Sequence, residues 1–152
     1  LSYGDDTAAE YAAVLPLYEE TYALLAPAAL VPAETASITW AEAATQPLVL
    51  LAPAMQNRRV LDDVFDRVGA TPNVVAETSG FAASIAMVAQ GFAAAIVPQP
   101  LLDALPPPAR SVALPLEAPV EAHAVGLLTP RRGADLPTVM ALRDVAAAIV
   151  AP

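Results

Sequence analysis

The chain has 152 residues, which suits one domain of ordinary size, and its net charge of −9 at pH 7 sets seven scattered arginines and no lysine against sixteen acids. Nucleic-acid binding by this segment is therefore not expected, because phosphate binding needs clustered cations. The absence of cysteine excludes disulfides, thiolate metal sites and a cysteine nucleophile, and a single histidine, His123, excludes multi-histidine metal sites.

The predicted elements begin with Leu1–Tyr3, a short apolar piece that reads as the tail of a strand. Gly4 to Glu10 reads as a loop around Asp5 and Asp6. These two acids also interrupt any secretory signal, and a first residue of Leu1 suggests a piece of something longer. The 57% hydrophobic content is rich in alanine, and no window holds the ~18 or more unbroken apolar residues of a membrane span. Residues 12–27, "AAVLPLYEETYALLAP", read as extended, and residues 28–37 as an Ala/Pro connector.

At Ser37 the pattern changes. Thr39 followed by Glu42 is a capping-box spacing that predicts a helix to about Thr45. "PLVLLAP" (Pro47–Pro53) is an apolar run of the kind buried on both faces of a parallel sheet. Val60, Leu61, Val64, Phe65 and Val68 then make an amphipathic helix stopped by Gly69. "NVVAET" is a strand, and Phe81, Ile85 and Val88 stripe a helix that stops at Gly91. "FAAAIV" is a third strand, and "PQPLLDAL" a short helix with Pro98 near its first turn. "LPPPARSVALPL" reads as a loop followed by a strand, "HAVGLLTP" as another strand, and a helix from Leu136 to Val150 closes the chain. Alternating strands and helices predict an α/β fold with a mostly parallel sheet.

Two strand-to-helix turns are candidate binding sites. In "LLAPAMQNRRV" the helix opens with Gln56, Asn57 and Arg58. Ligands bind beyond the carboxyl ends of strands in open α/β sheets, and a helix N-terminus there favours anions. At the neighbouring turn, Thr78 and Ser79 offer hydroxyls. Simple helix capping is the alternative at both turns. Both turns should open on one sheet edge, which favours binding of a ligand that is held and left unchanged.

Catalytic chemistry finds no support in the residues. His123 is a lone histidine at the start of a strand, which is usually structural, and no G-x-S-x-G elbow surrounds Ser79. Asp62, Asp63 and Asp66 share a helix with Arg59 and Arg67, as on a solvated face, and Arg131 and Arg132 fall in a loop. No catalytic residue, metal ligand or cofactor site is assigned.

The segments "PLYEETYALLAP", "ITWAEAATQPLVLLAP", "RRVLDDVFDRVGATPNVVAETSGFAASIAMVAQGFAAAIVPQPLL" and "LPLEAPVEAHAVGLLTPRR" resemble, in order, the effector-binding domain of LysR-type transcriptional regulators. The block from "GATPNVV" to "IVPQPLL" is the most specific part. The resemblance implies a fold like type II periplasmic binding proteins: two α/β subdomains joined by two crossover strands, with a small effector between them. Residues 1–27 would be the end of subdomain I and the first crossover, 28–122 subdomain II, and 123–152 the second crossover with a helix returning to subdomain I. The winged helix-turn-helix and the opening of subdomain I would be absent. The effector would touch Tyr3, Gln56, Asn57, Arg58, Thr78 and Ser79.

The resemblance further implies a cytoplasmic regulator that is no enzyme. It would act as a dimer or tetramer, bind DNA only through the absent N-terminal domain, and have no membrane partner. The helix at 57–68 and the strand at 73–77 would meet a partner chain through Val60, Val64 or Arg67, unless those valines face the local core. An exported solute-binding protein of an uptake system is the rival reading on the same fold.

Overall fold

A computed structural model of the chain describes residues 2–3, 11–130, 133 and 135–150. The predicted loop at 4–10 and Arg131 and Arg132 lie outside the described residues. The chain divides into two compact units, Leu1–Glu20 with Ala122–Pro152, and Thr21–Glu121.

The first unit is built on an antiparallel three-stranded sheet. Strand β9 (His123–Pro130) lies between β1 (Ser2–Tyr3) and β2 (Tyr11–Glu20). Helix α5 (Pro137–Val150) packs on β2 and β9. The predicted start at Leu136 is one residue early, because Pro137 opens the helix, where a missing N–H costs nothing.

The second unit is a six-stranded sheet in the order β4-β8-β3-β7-β5-β6. Its strands are β3 (Tyr22–Pro27), β4 (Ile38–Thr39), β5 (Leu48–Leu51), β6 (Val74–Thr78), β7 (Ala94–Pro98) and β8 (Ser111–Glu117). Strands β7, β5 and β6 run parallel, as the apolar runs predict. Strand β3 runs antiparallel to both β7 and β8, so parallel pairing holds on either side of β3 but not across it. The sequence shows that β3 is buried, but direction along a strand leaves no mark on its side-chain pattern.

Helices cover both faces of this sheet. On one face, α1 (Trp40–Ala44) and α2 (Gln56–Val68) pack over Leu24, Leu48, Leu50 and Ile96. On the other, α3 (Phe81–Ala89) and α4 (Gln99–Ala104) cover Leu25, Val49, Ala95 and Val97 through Val88 and Leu102. Adjacent strand residues thus point to opposite, equally buried faces, which explains why β3, β5 and β7 read as unbroken apolar runs. Val60 and Val64 belong to this local core, and Arg67 pairs with Glu121 at 2.8 Å.

The fully buried Trp40 organises the first face. It meets Tyr22 edge-on at 6.2 Å and Phe65 at 5.5 Å between ring centres. Its Nε1 donates to the Pro119 carbonyl at 2.9 Å, so the ring buries its area without an orphan donor. Helix α1 begins with the predicted capping box: Glu42 N donates to Thr39 Oγ1 at 3.2 Å, and Thr39 N donates to Glu42 Oε2 at 2.9 Å. Helix α2 ends at Gly69, whose φ of 68° is the left-handed geometry that favours glycine, and Ala70 N closes back on Phe65 O at 3.0 Å. In α4, Pro98, predicted near the first turn, is the N-cap, and Pro100 sits inside that turn.

Two outcomes follow from this packing. Phe65→Ala should lower unfolding stability by about 3–5 kcal/mol in urea titrations, the usual cost of emptying a buried aromatic site. The Thr39 backbone bond, then the Thr39 side-chain bond, hold the Glu42 carboxylate below its ordinary range. A carboxylate depressed in the folded state stabilises above its unfolded pKa, and that contribution fades as pH falls through the folded value. The stability gap between wild type and Thr39→Ala should therefore narrow as unfolding is measured at successively more acidic pH.

Candidate functional site

The candidate site is built by three parallel strands that end together. Leu51 of β5 pairs with Thr78 of β6, and the Ala52 N–H donates to the Thr78 carbonyl at 2.8 Å. Strand β7 runs parallel on the other flank of β5 and ends at Pro98. Beyond these ends the chain diverges. Strand β5 turns through Ala52–Met55 into α2 on one face, and β6 turns through Ser79 and Gly80 into α3 on the other. Both predicted turns therefore open on one edge of the sheet, at a place where successive helices leave on opposite faces.

The two helices that start here differ from α1. Helix α1 has its full capping box, whereas the N-caps of α2 and α3, Met55 and Gly80, provide no side-chain acceptor. The leading amides of an α-helix have no partner within the helix, and the aligned peptide dipoles leave partial positive charge there. The turns are open to solvent: Pro53, Ala54 and Ser79 are exposed, and Met55, Gln56 and Gly80 are half-buried. Three cavities among the described residues lie elsewhere. They measure about 270 Å³ beside α1, about 240 Å³ near Arg110 and about 200 Å³ between β2 and α5.

The predicted residues are placed as follows. Gln56 and Asn57 open α2, with Asn57 buried and Gln56 half-buried. The Thr78 hydroxyl lies 2.8 Å from Ser84 Oγ and 3.4 Å from the Gly80 carbonyl, so it stitches β6 to the first turns of α3. Ser79 is the exposed hydroxyl of the pair. Tyr3 is in the other unit, where its backbone pairs with Val125. His123 stands opposite Glu20 in the β2–β9 ladder. Among the described residues no group of three His, Cys, Asp or Glu is arranged to hold a metal.

Arg58 is turned inward. Its Nη1 donates to the Leu51 carbonyl and to Glu77 Oε1, both at 2.9 Å, and its Nε donates to Asp62 Oδ1 at 2.8 Å. Burial lowers its pKa, but hydrogen bonds and charge from Asp62 and Glu77 outweigh this and leave it raised above the ordinary value. Asp62 is thus not a free member of a solvated acidic face. Arg59 is exposed, and its Nη2 reaches the Ala54 carbonyl at 3.3 Å.

Sequence reasoning missed Ser84 and Glu77. Ser84 lies on the buried face of α3, one position from the apolar stripe, and a polar residue there in an alanine-rich helix is the signal that marks it. Glu77 gives no such signal, because its partner is distant in sequence and joined only by the β5–β6 register.

This architecture is a mixed α/β fold of the type II periplasmic-binding-protein kind. The LysR substrate binding domain model matches residues 3–150, so the chain belongs to that family. No curated protein matches it in sequence. Solved structures similar in fold include the effector binding domain of QuiR in complex with shikimate, with TM-score 0.81 and 16% identity over 97% of this chain and 69% of that one. The Synechocystis PCC6803 CcmR regulatory domain in complex with 2-PG gives TM-score 0.79 and 12% identity over 91% of this chain and 66% of that one. CbnR, a LysR family transcriptional regulator, gives 0.74 and 13% over 88% and 46%. The chain thus spans about two thirds of the first two structures and under half of the third.

The hydroxyl pair behind the site makes a direct test. Ser84 is only 2% exposed, so Thr78→Val leaves its hydroxyl buried without its partner. Urea unfolding should show a loss of about 1–3 kcal/mol for Thr78→Val, and most of it should return in Thr78→Val/Ser84→Ala, where both polar groups are gone.

Proposed function

We propose that the chain is the ligand-sensing part of a LysR-type transcriptional regulator and that it binds a small, anionic metabolite at the joint edge of the β5–α2 and β6–α3 turns. The carrying observation is the Ala52-to-Thr78 bond, which sets two helix N-termini without side-chain caps on one open sheet edge. Amides at such ends suit a carboxylate, because they point free N–H donors and partial positive charge at whatever sits there. Gln56, Asn57 and Ser79 supply side-chain contacts, and Thr78 and Arg58 stand behind them.

The similarity to domains solved with shikimate and with 2-PG supports a small acidic effector. Effector binding acts by its different affinity for two arrangements of the subdomains, and it biases DNA-binding domains elsewhere in a cytoplasmic dimer or tetramer. The charge of −9 fits DNA contact made by other segments. Among the described residues no helix is long and apolar enough to cross a membrane. The family match is to the regulator domain and does not favour the uptake-protein rival. That family is one of regulators, and no catalytic role is assigned to any residue.

A thermal-shift panel of small carboxylates, including shikimate, 2-PG and aromatic acids, tests this reading. A binder at a hundred times its Kd should add about 2.7 kcal/mol and raise the melting midpoint. Gln56→Ala should weaken that binder by about 0.5–1.5 kcal/mol, as for one lost hydrogen bond, with the unliganded midpoint little changed. A panel with no shift, together with promoter DNA bound by this segment, would overturn the proposal.

A further inference from the structure

The first turn of α2 carries two neighbouring arginines that do different things. Arg59 is exposed and makes one bond of 3.3 Å to its own turn. The Arg58 side chain is only 12% exposed and joins three separate places: the last carbonyl of β5, a carboxylate on β6, and a carboxylate one turn along α2. These contacts fall where the sheet ceases to hold the two turns together. The Ala52-to-Thr78 bond is the outermost backbone link between β5 and β6, and past it the chain departs to opposite faces.

We infer that Arg58 is a positioning residue for the proposed effector site: through Nη1 and Nε its guanidinium fixes the separation of the β5–α2 and β6–α3 turns. The inference rests on the ligand-binding reading for its purpose, but the brace exists without ligand. A planar fork can hold a carbonyl and two carboxylates in one fixed arrangement, which a lysine ammonium on a flexible stem cannot reproduce. With two carboxylates already on one guanidinium, the positive charge is compensated within the protein. These bonds engage Nη1 twice and Nε once, so the fork is fixed to the protein along two of its three nitrogens. Arg59 carries the same charge at the same turn without either carboxylate, so it serves as the charge-matched control.

Amide hydrogen exchange on the ligand-free chain decides the matter. In Arg58→Gln, the amides of Ala52, Ala83 and Ser84, which close the two turns, should exchange about tenfold faster or more, as expected when local opening becomes easier. Amides of Leu24 and Ile96 in the centre of the sheet should keep their wild-type rates, and Arg59→Gln should leave all five unchanged. Wild-type exchange at the turns in Arg58→Gln would overturn the brace, since a residue that only meets ligand moves nothing in its absence. An equal rise at Leu24 and Ile96 would also overturn it, showing general loosening. Should Arg58→Gln not fold, Arg58→Lys gives the same reading: faster exchange confined to the turns supports the brace, and wild-type rates overturn it, since a point charge would then suffice. Acetate, added as a carboxylate probe, separates the two readings. If acetate moves no amide resonance of residues 56–58 or 81–82 while the exchange pattern holds, the effector reading fails and the brace stands.

Discussion

The arrangement depends on one pairing, the parallel register of β5 with β6 that ends in the Ala52 N–H to Thr78 carbonyl bond. Parallel neighbours point their carboxyl ends the same way, so the two turns that follow must share an edge. A one-residue slip would invert which side chains of β6 face each layer and would move Glu77 away from Arg58. The register is held because β5 is buried on both faces, and neither face can be exchanged for the other without exposing leucines or moving them against the wrong helix.

That burial explains how an open site is kept on a firm base. Trp40, Tyr22 and Phe65 fill the layer beneath α1 and α2, and smaller residues, chiefly alanine and valine, fill the layer beneath α3. The turns above this base are short, and their amides belong to helices whose other ends are tied down, α2 by Gly69 and by the Arg67–Glu121 pair at 2.8 Å. A ligand at the proposed site would meet donors that are already oriented, so little ordering would be needed on binding.

Much of this was legible in the sequence. The capping box at Thr39 and Glu42, the amphipathic α2 with its glycine stop, the proline-bounded β5, and the common edge of the two turns all follow from local patterns, and the structure has each of them. The direction of β3, the inward course of Arg58, the Thr78–Ser84 stitch and the Glu77 contact were not legible. Each depends on which distant segments become neighbours, and an arginine at the start of a helix reads the same whether it faces an anion or a strand-end carbonyl. The sequence suggested the interface valines Val60 and Val64 with the local core as the alternative, and the core is where they are.

The most direct test of the central claim is where a bound guest sits. The structure of the chain with the carboxylate that most raises its melting midpoint should place the guest's carboxylate against the amides of residues 56–58 and 81–82, beside Ser79. A guest seated instead in the cavity beside α1, lined by Val31, Thr35 and Gln46, would contradict the account.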